Sequence, residues 1–165
     1  MLYYIRYPSP VGTLLITCDD DALTGLWMEA NPPTEAEPGE KHPILVKTAL
    51  WLDAYFRGEE EPIPVSLAPA GSPFQQRVWR RLLEIPRGKT CTYGDIAREI
   101  AAETGKRMSA QAVGGAVGSN PISIIGPCHR VVGAGGKLTG YAWGLERKAW
   151  LLQHEGWEGV KNDHQ

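Results

Sequence analysis

The stretch Asn120-Pro121-Ile122-Ser123-Ile124-Ile125-Gly126-Pro127-Cys128-His129-Arg130-Val131-Val132 decides how this chain is read. Ile122 to Ile125 is a short, mostly β-branched run that is expected to be buried. Gly126-Pro127 then breaks the run and turns the chain. Cys128 is therefore expected to leave a rigid bend with its sulfur aimed at whatever lies across it. An isolated free cysteine is usually just a small buried hydrophobe. The Gly-Pro bend before this one and the His-Arg pair after it set it apart. His129 is adjacent in sequence, which leaves open whether its ring faces the sulfur.

A chain of 165 residues can bury a full core as one domain or two small ones. Its 42% hydrophobic and 22% charged residues are ordinary for a soluble globular protein. No apolar run reaches membrane-spanning length, and Met1-Leu2-Tyr3-Tyr4 lacks the layout of a signal peptide. A cytoplasmic protein without a membrane partner is expected. The three cysteines, Cys18, Cys91 and Cys128, are too few and too scattered for a disulfide framework. They form no CxxC pair; Cys18, His42 and Cys91 would have to meet through the fold to hold zinc, so no metal is expected. Charge is uneven. Residues 1–71 carry 4 Lys/Arg and 11 Asp/Glu, net −7, and residues 72–165 carry 13 and 8, net +5, which together give the whole-chain −2. A basic second half is a weak pointer to a polyanion, since a solvated basic face gives the same count.

The first half reads as three short strands. Leu2 to Tyr7 is followed by a turn at Pro8–Gly12, Thr13 to Cys18 by a turn at Asp19–Asp21, and Leu23 to Met28 completes an antiparallel meander. Asn31 to Glu40 reads as an exposed loop. A helix is predicted from His42 or Pro43 to Gly58, with Leu45, Ala49, Leu52 and Phe56 inward. Val65–Leu67 is a brief strand after an acidic linker. A boundary falls at 71/72, giving domains 1–71 and 72–165.

The second half reads as helical. Ser72-Pro73 opens a helix, with Ser as N-cap and Pro in the first turn. Its apolar stripe is Phe74, Val78, Leu82 and Ile85. Thr92 caps the next helix, and Asp95 completes a capping-box-like start. Ile96, Ala97 and Ile100 face inward. After a polar turn containing Gly105, Ser109 caps a third helix, Ala110 to Gly118. Two helices joined by a Gly-containing turn suggest a helix-turn-helix. Three glycines in five residues, Gly114, Gly115 and Gly118, each cost about 1 kcal/mol in a helix. Either another backbone packs closely against this face or the face must enter a narrow groove. A fully dressed helix is about 10–12 Å across and the B-DNA minor groove about 6 Å wide. Only a stripped helix approaches such a groove, and Gln111 is the one long side chain near its tip. Gly133 to Gly144 is a glycine-rich loop with two aromatics, lacking the strand–GxGxxG–helix setting of a dinucleotide site. A last helix spans Glu146 to His154, with Ala149, Trp150, Leu151 and Leu152 buried, and Val160 to Gln165 is expected to fray.

Cys128, His129 and Glu155 supply a nucleophile, a base and an orienting carboxylate. Separation in sequence leaves open whether they meet. Pro127-Cys128-His129-Arg130-Val131, with Asn120-Pro121 before it, resembles the O6-alkylguanine-DNA alkyltransferases of the bacterial Ogt type. Gly140-Tyr141, Arg147-Lys148 and Leu151-Leu152-Gln153-His154-Glu155-Gly156 carry the resemblance onward. These are the methylated-DNA–protein-cysteine methyltransferases. The resemblance covers Ser72 to Gly156. It extends more loosely to Pro10-Val11-Gly12 and Tyr55-Phe56-Arg57-Gly58.

The resemblance implies an α+β protein. A small N-terminal antiparallel sheet with a helix, ribonuclease-H-like, would precede a mostly helical domain carrying a winged helix-turn-helix. It implies a monomer that binds double-stranded DNA carrying O6-alkylguanine and flips the lesion base, and leaves open whether binding is cooperative on DNA. By the same resemblance, Cys128 attacks the alkyl carbon, His129 takes the thiol proton through a water, and Glu155 holds His129. Asn120 supports the pocket, and Tyr93 hydrogen-bonds the guanine. Tyr141, Ala142, Trp143 and Val131 line the pocket, and Lys148 matches a family lysine beside it. Ser109, Ala110, Gln111, Ala112, Gly114, Gly115 and Arg130 face the DNA. No cofactor is implied, because the methyl comes from the DNA. O4-methylthymine is a further expected substrate, and each molecule should act once.

Two positions depart from the family pattern. Gln111 stands where many members carry an arginine that fills the gap left by the flipped nucleotide. Trp143 stands where some have glycine. Two rival classes use the same residues. A Cys-His hydrolase would turn over repeatedly and needs no bare helix. A non-catalytic helix-turn-helix binder would tolerate loss of Cys128.

Overall fold

Strands β1 (Tyr3–Ser9), β2 (Gly12–Cys18) and β3 (Leu23–Met28) form an antiparallel meander in the computed structural model, which describes residues 1–159. The segment Val160 to Gln165, expected to fray, lies outside the described residues. The first turn is tighter than the sequence suggests: Pro8 stays in β1, opposite Thr13. Proline is tolerated there because the other flank of β1 is paired only at Tyr3 and Tyr4. That partner is β4 (Glu37–Pro38), running parallel within the segment expected to be loop. Glu37 N–H donates to the Leu2 carbonyl at 2.9 Å and Gly39 N–H to that of Tyr4 at 2.9 Å. The sheet, in order β3-β2-β1-β4, is thus antiparallel with one short parallel edge. These are main-chain bonds under exposed side chains, which a Pro/Glu-rich composition conceals.

Helix α1 (Pro43–Phe56) packs on β1 and β2. His42 caps it, its Nδ1 accepting from Ile44 N–H at 3.2 Å. The inward side is turned from the expected stripe: Thr48 and Tyr55 are buried with Leu45 and Leu52, in place of Ala49 and Phe56. Thr48 is admitted because its hydroxyl donates to the Ile44 carbonyl at 2.7 Å. The expected Val65–Leu67 strand shrinks to one bridge, Leu67 to Leu23. The first unit consists of Met1–Ala70 together with Pro121–Ser123. Leu26 N–H donates to the Pro121 carbonyl at 2.8 Å, and Ser123 N–H to that of Leu26 at 3.2 Å.

The second unit holds Gly71–Asn120 and the chain from Ile124 onward. Helix α2 (Pro73–Leu82) begins with a full capping box between Ser72 and Gln75. Val78, Leu82 and Ile85 are buried as expected, with Trp79 beside them. Trp79 can be buried because its indole N–H donates to the Ala116 carbonyl at 2.7 Å. Strand β5 (Cys91–Thr92) leads into α3 (Tyr93–Thr104), capped reciprocally by Thr92 and Asp95. Gly105, at φ 70°, ends α3 in the left-handed conformation that glycine adopts without a Cβ clash. Helix α4 (Ala110–Gly118) starts at Ser109, whose hydroxyl accepts from Ala112 N–H at 3.0 Å. Strand β6 (Val131–Val132) pairs with β5 in parallel. Helix α5 (Leu145–His154) follows the glycine-rich loop. Its buried residues are Lys148, Leu151 and Leu152. Ala149 and Trp150 are only half-buried, and the Trp150 indole stacks on His154 with centroids 4.9 Å apart. Among the described residues no helix is long and apolar enough to cross a membrane.

Candidate active site

The bend before Cys128 is an inverse γ-turn. Pro127 sits at φ −79°, ψ 67°, and Cys128 N–H donates back to the Gly126 carbonyl at 2.7 Å. The Asn120 side-chain amide donates to that same carbonyl, also at 2.7 Å. Asn120 therefore pins the first residue of the turn whose last residue is the cysteine. Ile124, two residues before the turn, is held at φ 68°. That is the left-handed region, which a β-branched residue adopts only under constraint. Its side chain is buried. After the bend, Cys128–Arg130 form one 3-10 turn. Cys128 is 6% exposed and His129 fully buried.

His129 Nε2 lies 2.6 Å from Glu155 Oε2. Arg130 closes on the other carboxylate oxygen, Nε to Oε1 at 2.7 Å, and its Nη1 donates to the Ile85 carbonyl at 2.7 Å. Burial alone would raise the Glu155 carboxyl; His129 and Arg130 together outweigh it and hold it well below the usual carboxylate range. For His129 burial wins. It pushes the imidazole below its usual value, although Glu155 pulls the other way. The permanent charge of Arg130 keeps Glu155 ionised whatever the ring does. A neutral imidazole next to an ionised carboxylate carries its proton on Nε2 and donates it there. Nδ1 is left as the basic nitrogen. It is buried and has no hydrogen-bond partner among the described residues.

Helix α5 carries a second buried charge. Lys148 Nζ donates to the carbonyls of Val131 at 2.6 Å, Thr139 at 2.9 Å and Gly140 at 3.3 Å. It lies 5.9 Å from the ring centroids of both Tyr93 and Tyr141. Burial lowers this ammonium to about 8, and Cys128 acts in the opposite sense. Tyr93 makes a long contact through its hydroxyl to the Thr139 carbonyl at 3.4 Å, and burial raises its phenol, which stays a donor. Tyr141 and Trp143 have ring centroids 5.9 Å apart; Trp143 is buried and Ala142 exposed.

Helix α4 separates its faces cleanly. Val113, Ala116 and Val117 are buried, while Ser109, Ala110, Gln111, Ala112 and Gly115 are exposed and Gly114 is half-buried. A Cβ at Gly114 would meet only Tyr93, at an ordinary 3.8 Å, and at Gly115 or Gly118 nothing within 4 Å. Among the described residues no backbone packs closely enough on this face to account for the glycines.

The cysteine, imidazole, carboxylate and Asn120 expected from the sequence thus gather around one turn. Arg130, which the resemblance places among the DNA contacts, is half-buried with its guanidinium on Glu155 and the Ile85 carbonyl. Lys148, expected beside the pocket, is in addition fully buried, and a signal for that existed: it recurs with Leu151 and Leu152 at helical spacing on the apolar side of α5. Nothing in the sequence marks Ile124 as strained. Among the described residues no group of three His, Cys, Asp or Glu could hold a metal ion.

Comparison with known proteins gives a consistent picture. Residues 2–69 match the family described as 6-O-methylguanine DNA methyltransferase, ribonuclease-like domain. Residues 73–157 match 6-O-methylguanine DNA methyltransferase, DNA binding domain. A methylated-DNA–protein-cysteine methyltransferase of Haemophilus influenzae is 44% identical over 93% of this chain and 86% of its own length. One from Methanosarcina acetivorans is 44% identical over 94% and 99%. The crystal structure of Mycobacterium tuberculosis OGT in complex with DNA superposes with a TM-score of 0.82, at 45% identity, covering 93% of this chain and 92% of that one.

Proposed function

The chain belongs to the 6-O-methylguanine DNA methyltransferase family, and from that premise we propose that it repairs DNA by moving the O6-alkyl group of guanine onto its own Cys128. It is a methylated-DNA–[protein]-cysteine S-methyltransferase. The observation that carries the residue assignment is the clamp on His129. Glu155 holds Nε2 and leaves Nδ1 as a buried base, one residue along the 3-10 turn from the cysteine. The relative from M. tuberculosis crystallised with DNA supports DNA as the partner.

In this mechanism the bare face of α4 enters the minor groove, and the lesion base is flipped out of the duplex into the pocket. Gln111 fills the gap and hydrogen-bonds the orphaned base. The Cys128 proton passes through a water to Nδ1 of His129, and Glu155 stabilises the imidazolium that forms. The sulfur attacks the methyl carbon. The S–C bond forms as the C–O6 bond breaks, and the electron pair returns to O6 and the purine ring. Tyr93, a neutral phenol, donates a hydrogen bond to the base as this negative charge develops. A proton then restores guanine. A thioether offers no facile leaving group, so each molecule acts once. The donor is the DNA itself, so no cofactor takes part. O4-methylthymine presents the same alkyl–oxygen bond and is a second substrate in this reading.

The test uses duplex DNA with one O6-methylguanine inside a restriction site that cuts only when the guanine is restored. The wild-type protein restores cutting up to one site per protein, and Cys128→Ala restores none. Equal restoration by Cys128→Ala would overturn the assignment. Restoration of many sites per protein would point to a hydrolase. Binding without restoration by either protein would point to a non-catalytic lesion binder.

A further inference from the structure

Lys148 is the largest fully buried side chain outside the triad's own hydrogen bonds, and the mechanism above gives it nothing to do. Its carbon stem rises from α5, and its ammonium ends among three backbone carbonyls. One of them, Val131, is the first residue after the 3-10 turn that carries Cys128. The other two, Thr139 and Gly140, belong to the loop leading into Tyr141 and Trp143, and their residues are exposed. Leu138 of this loop packs on Val132 and Leu152, and Tyr141 packs against the core that includes Cys128 and Val131. Gly133 N–H donates to the Lys137 carbonyl at 2.8 Å and Gly144 N–H to that of Tyr141 at 2.9 Å. Both bonds stay inside the loop, whereas the Lys148 ammonium bonds the loop and the residue after the nucleophile turn together. An ammonium has three N–H donors and no acceptor, and three carbonyls stand around this one. The rings of Tyr93 and Tyr141 flank it as cation–π partners.

We propose that Lys148 is a positioning residue: its buried ammonium straps the pocket loop, at Thr139 and Gly140, to the exit of the Cys128 turn at Val131. The strap fixes how far the flipped base stands from the sulfur. The Thr139 carbonyl also accepts from the Tyr93 hydroxyl at 3.4 Å, so the strapped loop and the base-facing phenol share one acceptor. The assignment rests on the alkyl-transfer reading for its kinetic consequence but not for its structural one.

A buried cation needs hydrogen-bond acceptors, and here three carbonyls supply them. The titratable groups facing it are Cys128 and His129 from the nucleophile turn, Tyr93 from α3 and Tyr141 from the loop. Above about 8 the ammonium loses its proton. The amine then offers two donors to three carbonyls and turns a lone pair toward the third.

The test compares wild type, Lys148→Met and Lys148→Gln. Lys148→Met keeps the stem and removes every donor; Lys148→Gln keeps two uncharged ones. Amide hydrogen exchange over residues 138–144 is measured beside transfer from O6-methylguanine in DNA. The expected result is faster exchange confined to that loop in Lys148→Met, with unchanged exchange over β1 to β3. Transfer falls by about 100-fold, the scale of a 1 Å misplacement, and Lys148→Gln lies between. In the wild type, intrinsic-rate-corrected protection of the same amides falls between pH 7 and pH 9, an arm that needs no variant to fold. Wild-type protection that is flat with pH, or a folded Lys148→Met with an unaltered loop and transfer rate, overturns the proposal. Failure of the transfer reading looks different: the wild type itself would transfer nothing, while the exchange arms would still report on the strap.

Discussion

One carboxylate, Glu155, answers two cationic side chains from adjacent positions: Arg130 permanently and His129 whenever it is protonated. Removing it leaves a buried guanidinium without its counter-ion, a loss of about 3–5 kcal/mol for a broken buried pair. Glu155→Ala is therefore expected to unfold at markedly lower denaturant, and Glu155→Gln to keep the fold while transfer slows. The pH dependence follows from two shifts with one sign. Glu155 is held below its unfolded value of 4.5, so its stabilisation is complete above that pH and is lost as pH falls further. His129 is held below 6.5, so the unfolded chain binds its proton first, and stability declines as pH drops below 6.5. Urea midpoints for the wild type should fall from about pH 6.5 downward; below 4.5, where the Glu155 carboxyl takes up its proton, the fall should be gentler for Glu155→Gln, and identical slopes there would remove Glu155 from this role. Trp143 makes a separate case. It is buried against Tyr141 at the pocket loop, so its indole should narrow the space for large adducts. Trp143→Gly is expected to raise the benzyl-to-methyl transfer ratio, and an unchanged ratio would contradict a pocket role.

At the scale of one element, α4 shows a helix whose composition works against its own stability. Gly115 has open space around it, so Gly115→Leu should stabilise the folded protein by up to about 0.8 kcal/mol through helix propensity. The same change puts a branched side chain on the face assigned to the groove, and DNA affinity should drop at least tenfold. Thermal melting and fluorescence anisotropy on one sample separate the two effects. A gain in melting temperature with no loss of affinity would mean that the face does not meet DNA. Gln111, exposed at the first turn of α4, is expected to respond in the other direction. Gln111→Arg adds a cation and a planar guanidinium, so binding at fixed salt should tighten, with a steeper salt dependence. Equal or weaker binding would count against its place in the gap.

Across the whole molecule, the readable parts were those where side-chain chemistry and backbone need coincide. Ser72, Thr92 and Ser109 cap the helices they were expected to cap, and Leu23–Met28 forms the third strand with the expected bounds. The hidden parts were set by main-chain bonds or by burial of polar groups. β4 is held by carbonyls of Leu2 and Tyr4 beneath exposed Glu and Pro side chains. Thr48 is inside α1's contact face because its hydroxyl bonds its own helix. At the site, Cys128 and His129 were marked by their neighbours. Arg130 and Lys148 were named as site residues, but where their charges end was not legible, because a cation is expected outside until its partners are known, and those partners are a distant carboxylate and three backbone carbonyls. The central claim is that Cys128 receives the alkyl group, and its most direct test is intact-protein mass after incubation with excess duplex DNA carrying O6-methylguanine. One methyl per protein, mapped by peptide fragmentation to Cys128, is the predicted result. An unchanged protein mass beside repaired DNA, or a methyl on Cys18 or Cys91, would contradict it.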